Sequence, residues 1–193
     1  MKNIISLDET SIDSHIFNNY GWSKSKPWFW QPELGLSPTG KKGTKIENIV
    51  RHSKVRYSLI LAINCKKIIH KKIIKGSANG EIFLKFIKDL VKKLHTQTNN
   101  YILLDNARIH HFKKIKEFID TESKIKLIYN IPYTPETNPI ERVFNDVKND
   151  LKNKKINNNN LVDEIKKTLN DINYNNFKAY YDKSLIDEIK KLK

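Results

Sequence analysis

Apolar and polar residues follow two rhythms along this chain, and the changes of rhythm mark its elements. Residues 3–7, 55–64, 66–75, 101–104 and 124–129 are short apolar runs or alternations with the period of a strand. The second and third are separated by a tight connection and, with the first, predict an antiparallel meander. Phe83, Phe86, Ile87, Leu90, Val91 and Leu94 recur at spacings of three and four, which predicts a helix over 81–94 capped by Asn79. A helix between two strand-like runs predicts a crossover to a parallel strand at 101–104. Phe112, Ile115, Phe118 and Ile119 predict a second helix over 112–120.

Asn138 followed by Pro139 is a strong helix start, with Asn at the cap and Pro in the first turn. In the helix that follows, Ile140, Val143, Phe144, Val147 and Leu151 share an apolar face, and Glu141, Asn145 and Lys148 lie along another. Leu161, Ile165, Leu169 and Ile172 predict a further helix, and the final KKLK is expected to fray. The pattern is that of one mixed α/β domain. Residues 16–43 are irregular, with Gly21-Trp22, the cluster Trp28-Phe29-Trp30, three prolines and Lys41-Lys42. Aromatics among lysines can stack on bases; covering a sheet edge is the preferred reading.

Composition narrows the partners. The 193 residues are enough for one sizeable core. Thirty-six Lys and Arg against 21 Asp and Glu give a net charge of +15, which favours a polyanion such as nucleic acid. The abundance of Lys, Asn and Ile also fits an AT-rich coding bias, so charge does not decide the matter alone. The one cysteine, Cys65, excludes an internal disulfide and a cysteine zinc cluster, and suits a reducing compartment. The start, MKNIISLDETS, has no signal-peptide core, and no run approaches the length of a membrane span. A soluble intracellular protein with no membrane partner is expected.

Three carboxylates stand out against this background. Asp105 directly follows the strand at 101–104, at the carboxyl edge where α/β sheets bind ligands. Asp8 follows the run at 3–7 in the same way, and Glu141 sits in the first turn of a helix. Each has a plain structural reading. Asp105 can start a turn, Asp8 and Glu9 can be surface charges near a terminus, and Glu141 occupies the capping-box position after Asn138. Held together, the three would repel one another unless a cation sat among them. Oxygen ligands select Mg²⁺ or Mn²⁺, and two such ions can clamp a phosphodiester. The pair His110-His111 makes a poor zinc site, because no Cys or further His lies at ligand spacing. Taken alone, His110 reads as a surface histidine.

LDET at residues 7–10, LLDNARIHH at 103–111 and PYTPETNPIERVF at 132–144 resemble the catalytic domain of DDE transposases, in the IS630 group of the IS630/Tc1/mariner superfamily. The family pattern is D-E-[ST], then D-N with a following His, then P-x-[ST]-P-x-x-N-P-I-E, and every position is met. Thirty-five residues separate Asp105 from Glu141, close to the family spacing, and Gly21-Trp22 matches a further family pair. The resemblance runs over residues 3–151.

It implies a ribonuclease-H-like α/β fold. The central mixed sheet would have about five strands, an antiparallel meander followed by parallel strands, flanked by helices. Residues 1–155 would form the catalytic domain and 156–193 a helical extension packed on it. Asp8, Asp105 and Glu141 would be the catalytic, metal-binding triad for two Mg²⁺ or Mn²⁺ ions. Asn106 and His110 would support the site or nearby DNA, and Asn138 with Pro139 would aim Glu141. Lys148, placed on Glu141's face by helical spacing, would reach a phosphate. The implied reaction is attack by water on the transposon end, then attack of the freed 3′-hydroxyl on target DNA, usually at a TA step. DNA, a second copy of the chain and a separate DNA-binding chain are the implied partners. Family members carry a helix-turn-helix region ahead of the first Asp. Here Asp8 comes seven residues after the start, so a fragment, the second frame of a split gene or a truncated relic is expected. Two other functions fit less well: a ribonuclease-H-like nuclease without strand transfer, and a non-catalytic nucleic-acid-binding remnant. The intact triad favours an enzyme over the remnant.

Overall fold

The computed structural model describes residues 3–13, 20–21, 44–45, 55–94, 98–154, 156–188 and 190. Trp22, the aromatic cluster at 28–30 and Lys41-Lys42 lie outside them. In chain order the elements are β1 (Ile4–Asp13), β2 (Tyr20–Gly21), β3 (Thr44–Lys45), β4 (Arg56–Ile63), β5 (Ile68–Lys75), α1 (Gly80–Val91), β6 (Asn100–Leu104), α2 (Lys113–Asp120), β7 (Ile125–Tyr129), α3 (Pro139–Lys152), α4 (Leu161–Asp171) and α5 (Asn175–Asp182). A π-helical turn over Lys183–Glu188 follows.

Five strands form one sheet in the order β5-β4-β1-β6-β7, and β2 pairs with β3 in a separate ladder. β1, β4 and β5 pair antiparallel, while β6 and β7 run parallel to β1. This is the expected meander followed by parallel strands. One expectation needs correcting. The first strand does not stop before Asp8 but continues to Asp13. β4 offers a partner all the way, with Asp8 opposite Leu61 and Asp13 opposite Arg56. On the other side, pairing with β6 covers only Ile4, Ile5 and Ser6. Asp8 is therefore inside a strand, at the point where one of its two neighbours ends.

Alternation along the strands gives the sheet two covered faces. On one, Ile5, Leu7, Ile60, Ala62, Ile102 and Leu104 pack against α1 and α2. On the other, Ile12, Leu59, Leu61 and Ile63 pack against α3, α4 and α5. α1 begins as predicted, with the Asn79 side chain accepting from the Ile82 amide at 3.0 Å, but ends at Val91, before Leu94. α5 was not singled out by periodicity, since only Phe177 and Tyr181 of its eight residues are buried. A helix this short has little stability of its own. Burial of two aromatic side chains, worth roughly 1.5–3 kcal/mol each, holds it. The Tyr181 hydroxyl also donates to Ile63 O at 2.8 Å and accepts from Ser6 N at 3.0 Å, bridging β1 and β4. Among the described residues no helix is long and apolar enough to cross a membrane.

Candidate active site

β1 and β6 bring the two aspartates together. Ser6 stands opposite Leu103, and two further residues along each parallel strand set Asp8 beside Asp105. One ligand atom from each of Asp8, Asp105 and His110 lies within 4.8 Å of the others.

Asp8 points toward the α3 face and is buried. Its Oδ1 accepts from the Glu9 amide at 2.7 Å, and its Oδ2 accepts from Asn138 Nδ2 at 3.2 Å. The other end of the Asn138 amide accepts from the Ser6 hydroxyl. Burial first, and the Asp105 charge second, push the Asp8 carboxyl up to about 8. Asn138 has the extended backbone of a helix cap, but its side chain makes no capping bond. Its side chain anchors Asp8 to Ser6 and to the start of α3, while its carbonyl accepts from the Glu141 amide at 3.2 Å. The amide that a capping-box glutamate would bind, Asn138 N–H, donates instead to Pro135 O at 2.9 Å. The helix-start role for Glu141 is thus unused.

Asp105 sits just past the end of β6, as predicted, and is half-exposed. Its Oδ1 accepts from the Ala107 amide at 2.8 Å and from His110 Nδ1 at 2.6 Å. The bond from His110 holds Asp105 below the usual carboxylate range. His110 is not a surface residue. Its side chain is fully buried, its ring lies 4.5 Å from that of Phe83, and its Nε2 donates to Glu9 Oε2 at 2.9 Å. Burial works against its charge, but the bonds to Asp105 and Glu9 outweigh it and raise the imidazole to about 10. Both ring nitrogens are engaged, so His110 braces Asp105 and has no lone pair to give a cation.

Glu141, in the first turn of α3, is half-buried. Burial raises its pKa, Lys148 two turns later pulls it down, and the charge of Asp105 adds to the rise. Glu141 is not in the close group of Asp8, Asp105 and His110. It lines, with Asp105, Asn106 and Asn138, a cleft of about 350 Å³. Asn106 is exposed, and its Nδ2 donates to Asn130 O at 2.7 Å, tying the end of β6 to the loop after β7. Lys148 is half-buried on Glu141's side of α3.

Sequence reasoning missed Glu9, Ser6 and Tyr181. Glu9 was legible in principle. Once β1 continues past Leu7, alternation puts Glu9 on the face opposite Asp8, the face that α1 and α2 cover. A carboxylate there needs a cationic partner, and His110 supplies it.

The donor set at the cleft is all oxygen, which fits a hard divalent cation. Asp8 adds a specific reason for one. Burial and a neighbouring carboxylate both oppose its ionisation, and a cation in front of the pair would relieve both.

A family model described as DDE superfamily endonuclease matches residues 32–162. The chain belongs to the DDE endonuclease superfamily. The matched stretch of this DDE chain includes Asp105 and Glu141 and begins after Asp8. Among solved structures, the Mos1 mariner paired end complex with Mn aligns at TM-score 0.72 with 16% identity, over 98% of this chain and 54% of that one. A pre-cleavage Mos1 transpososome aligns at 0.73 with 15% identity, over 98% and 54%. The catalytic domain of Mos1 mariner transposase aligns at 0.64 with 13% identity, over 95% and 78%. The sheet and its helices have the ribonuclease-H-like fold of that domain. The chain spans about half the length of the Mos1 chains in the paired end complex and the transpososome. No curated protein matches it.

Proposed function

We propose that this chain is the catalytic part of a DNA transposase of the IS630 group, cutting and joining DNA phosphodiesters with divalent cations. The observation that carries the reading is the pair Asp8 and Asp105, close together, with Asp105 lining a cleft that Glu141 also lines and Asp8 raised to about 8. Asp8, Asp105 and Glu141 would hold Mg²⁺ or Mn²⁺, two ions in the full reading. The bound ions would lower the pKa of the attacking water and polarise the phosphate. The chain's own residues do the rest. His110 and Glu9 keep Asp105 ionised and fixed in direction. Asn138 fixes Asp8. Lys148 offers a positive charge on the Glu141 side of the cleft, where a phosphate would lie. Asn106 holds the cleft wall. A net charge of +15 draws in the DNA backbone.

The likeness to Mos1 complexes described with paired ends, Mn and Mg supports transposon-end DNA as substrate and these cations as cofactors. Residues 156–193 would buttress a catalytic unit over 1–155. A second copy, and a separate chain that reads the DNA ends, would complete the assembly. The test is Mn²⁺-dependent nicking of supercoiled plasmid by the purified chain beside Asp105→Asn. Nicking by the wild type alone supports the reading, and equal nicking by both proteins sinks it.

A further inference from the structure

The loop after β7 carries an aromatic residue where a glycine would be cheaper. Residues 131–134 form a turn in which the Thr134 amide donates to Ile131 O at 3.4 Å, Pro132 is second and Tyr133 third, with φ 60°. Proline second and positive φ third is the pattern of a type II turn, whose third position favours Gly or Asn because a Cβ is crowded there. Tyr133 is the one non-glycine residue with positive φ among the described residues. Its side chain is fully exposed, so no packing offsets the strain.

The surroundings hold the turn in place. Thr134 Oγ1 donates to Ile131 O at 2.6 Å, Asn130 Nδ2 to Thr134 O at 3.1 Å and Thr137 Oγ1 to Asn130 Oδ1 at 2.7 Å. Asn106 ties Asn130 to the end of β6. Backbone strain kept by such a network marks a functional position. The turn is also part of the cleft: Ile131, Pro132, Tyr133 and Thr134 line it together with Asp105 and Glu141. The ring therefore stands out at the rim of the space that a DNA strand would enter.

We infer that Tyr133 is a stacking residue for DNA, taking the face of an unpaired base beside the phosphate held in the cleft. The inference rests on the transposase reading and deepens it. An uncharged ring next to the exposed Ile131 offers a phosphate only its hydroxyl, and its apolar area suits the flat face of a base. A base stacked within a duplex has no free face. The DNA that engages Tyr133 is thus unpaired at this point, either at an end or by local distortion.

Binding without divalent cation tests this apart from cleavage. Two labelled duplexes are compared by fluorescence anisotropy, one fully paired and one with a few unpaired bases at one end. Wild type, Tyr133→Gly and Tyr133→Phe are measured on both. Glycine accepts φ 60° without strain, so Tyr133→Gly keeps the fold, with a Tm equal to or above wild type. It should lose roughly tenfold of the preference for the unpaired end, with binding to paired DNA unchanged, and Tyr133→Phe should keep that preference. A wild-type preference retained by Tyr133→Gly overturns the proposal and leaves the turn to a protein partner. Equal weakening on both duplexes overturns it too, as does a wild type that binds neither. Failure of Mn²⁺-dependent nicking would instead overturn the transposase reading, and leaves this ratio measurable.

Discussion

Two aspartates stand side by side on parallel strands, and their surroundings drive them in opposite directions. Asp8 lies within β1, buried, and among the described residues its hydrogen bonds come from two neutral donors, the Glu9 amide and the Asn138 side chain. Its carboxyl is raised to about 8. Asp105 lies past the end of β6, half-exposed, with the buried, charged His110 behind it, and its pKa is lowered. The same residue type is thus a reluctant anion in one place and a committed one in the other. Burial decides for Asp8, and the bond from His110 decides for Asp105. A cation in front of the pair has most to give to Asp8.

The sharpest way to break this comparison is to neutralise each acid in turn. Asp8→Asn and Asp105→Asn should both reduce Mn²⁺-dependent nicking to background. Their stabilities should part. Asp105→Asn takes away a charged partner of buried His110 and should cost about 1–3 kcal/mol. Asp8→Asn relieves an unfavourable buried charge and should leave Tm at pH 8 unchanged or higher. Equal losses by thermal melting would remove the contrast.

Next in size is the pH dependence of cation binding. Asp8 must be deprotonated to ligate, so below about 8 a bound ion also expels its proton. Calorimetry should find Mn²⁺ affinity rising by up to about tenfold per pH unit between 6 and 8, then levelling. Asp8→Asn should flatten that slope. Without metal the two residues also pull stability in different windows. Asp8, raised in the folded state, favours folding less as pH climbs from 3.8 toward 8. His110, also raised, contributes fully below 6.5 and loses its contribution as pH rises through about 10.

Smaller effects come from the residues that hold each acid. Asn138→Ala should lower nicking about 10- to 100-fold by freeing Asp8, and Glu9→Gln should act at the lower end of that range through His110. A drop in Mn²⁺ affinity with an intact melting curve would separate positioning from unfolding. The smallest effect on activity should come from Tyr181→Phe. It removes the bridge from Ser6 N to Ile63 O, costing about 1 kcal/mol, while nicking per folded molecule stays at the wild-type level.

Much of the fold was legible because periodicity is local. The meander, the crossover through α1 and the start of α3 at Pro139 all follow from neighbouring residues. α5 was not, since two buried aromatics in eight residues make no pattern. In the site, Asp105 was read at a strand end and found there. Asp8 was read the same way and lies mid-strand, because β4, some 50 residues on, extends the pairing past it. Taken alone, His110 reads as a surface histidine; it is buried, because its environment is made by Phe83 and Glu9 rather than by its own segment.

The sequence by itself determined which side chains can do the chemistry. Carboxylates, helix starts and short motifs are properties of adjacent residues. Tertiary structure decided which acid is charged, which asparagine steadies it and which buried histidine holds its partner. Those depend on distance and burial, and both are set by segments far apart in the chain, such as Glu9 with His110, 101 residues on, and Asp8 with Asn138, 130 residues on.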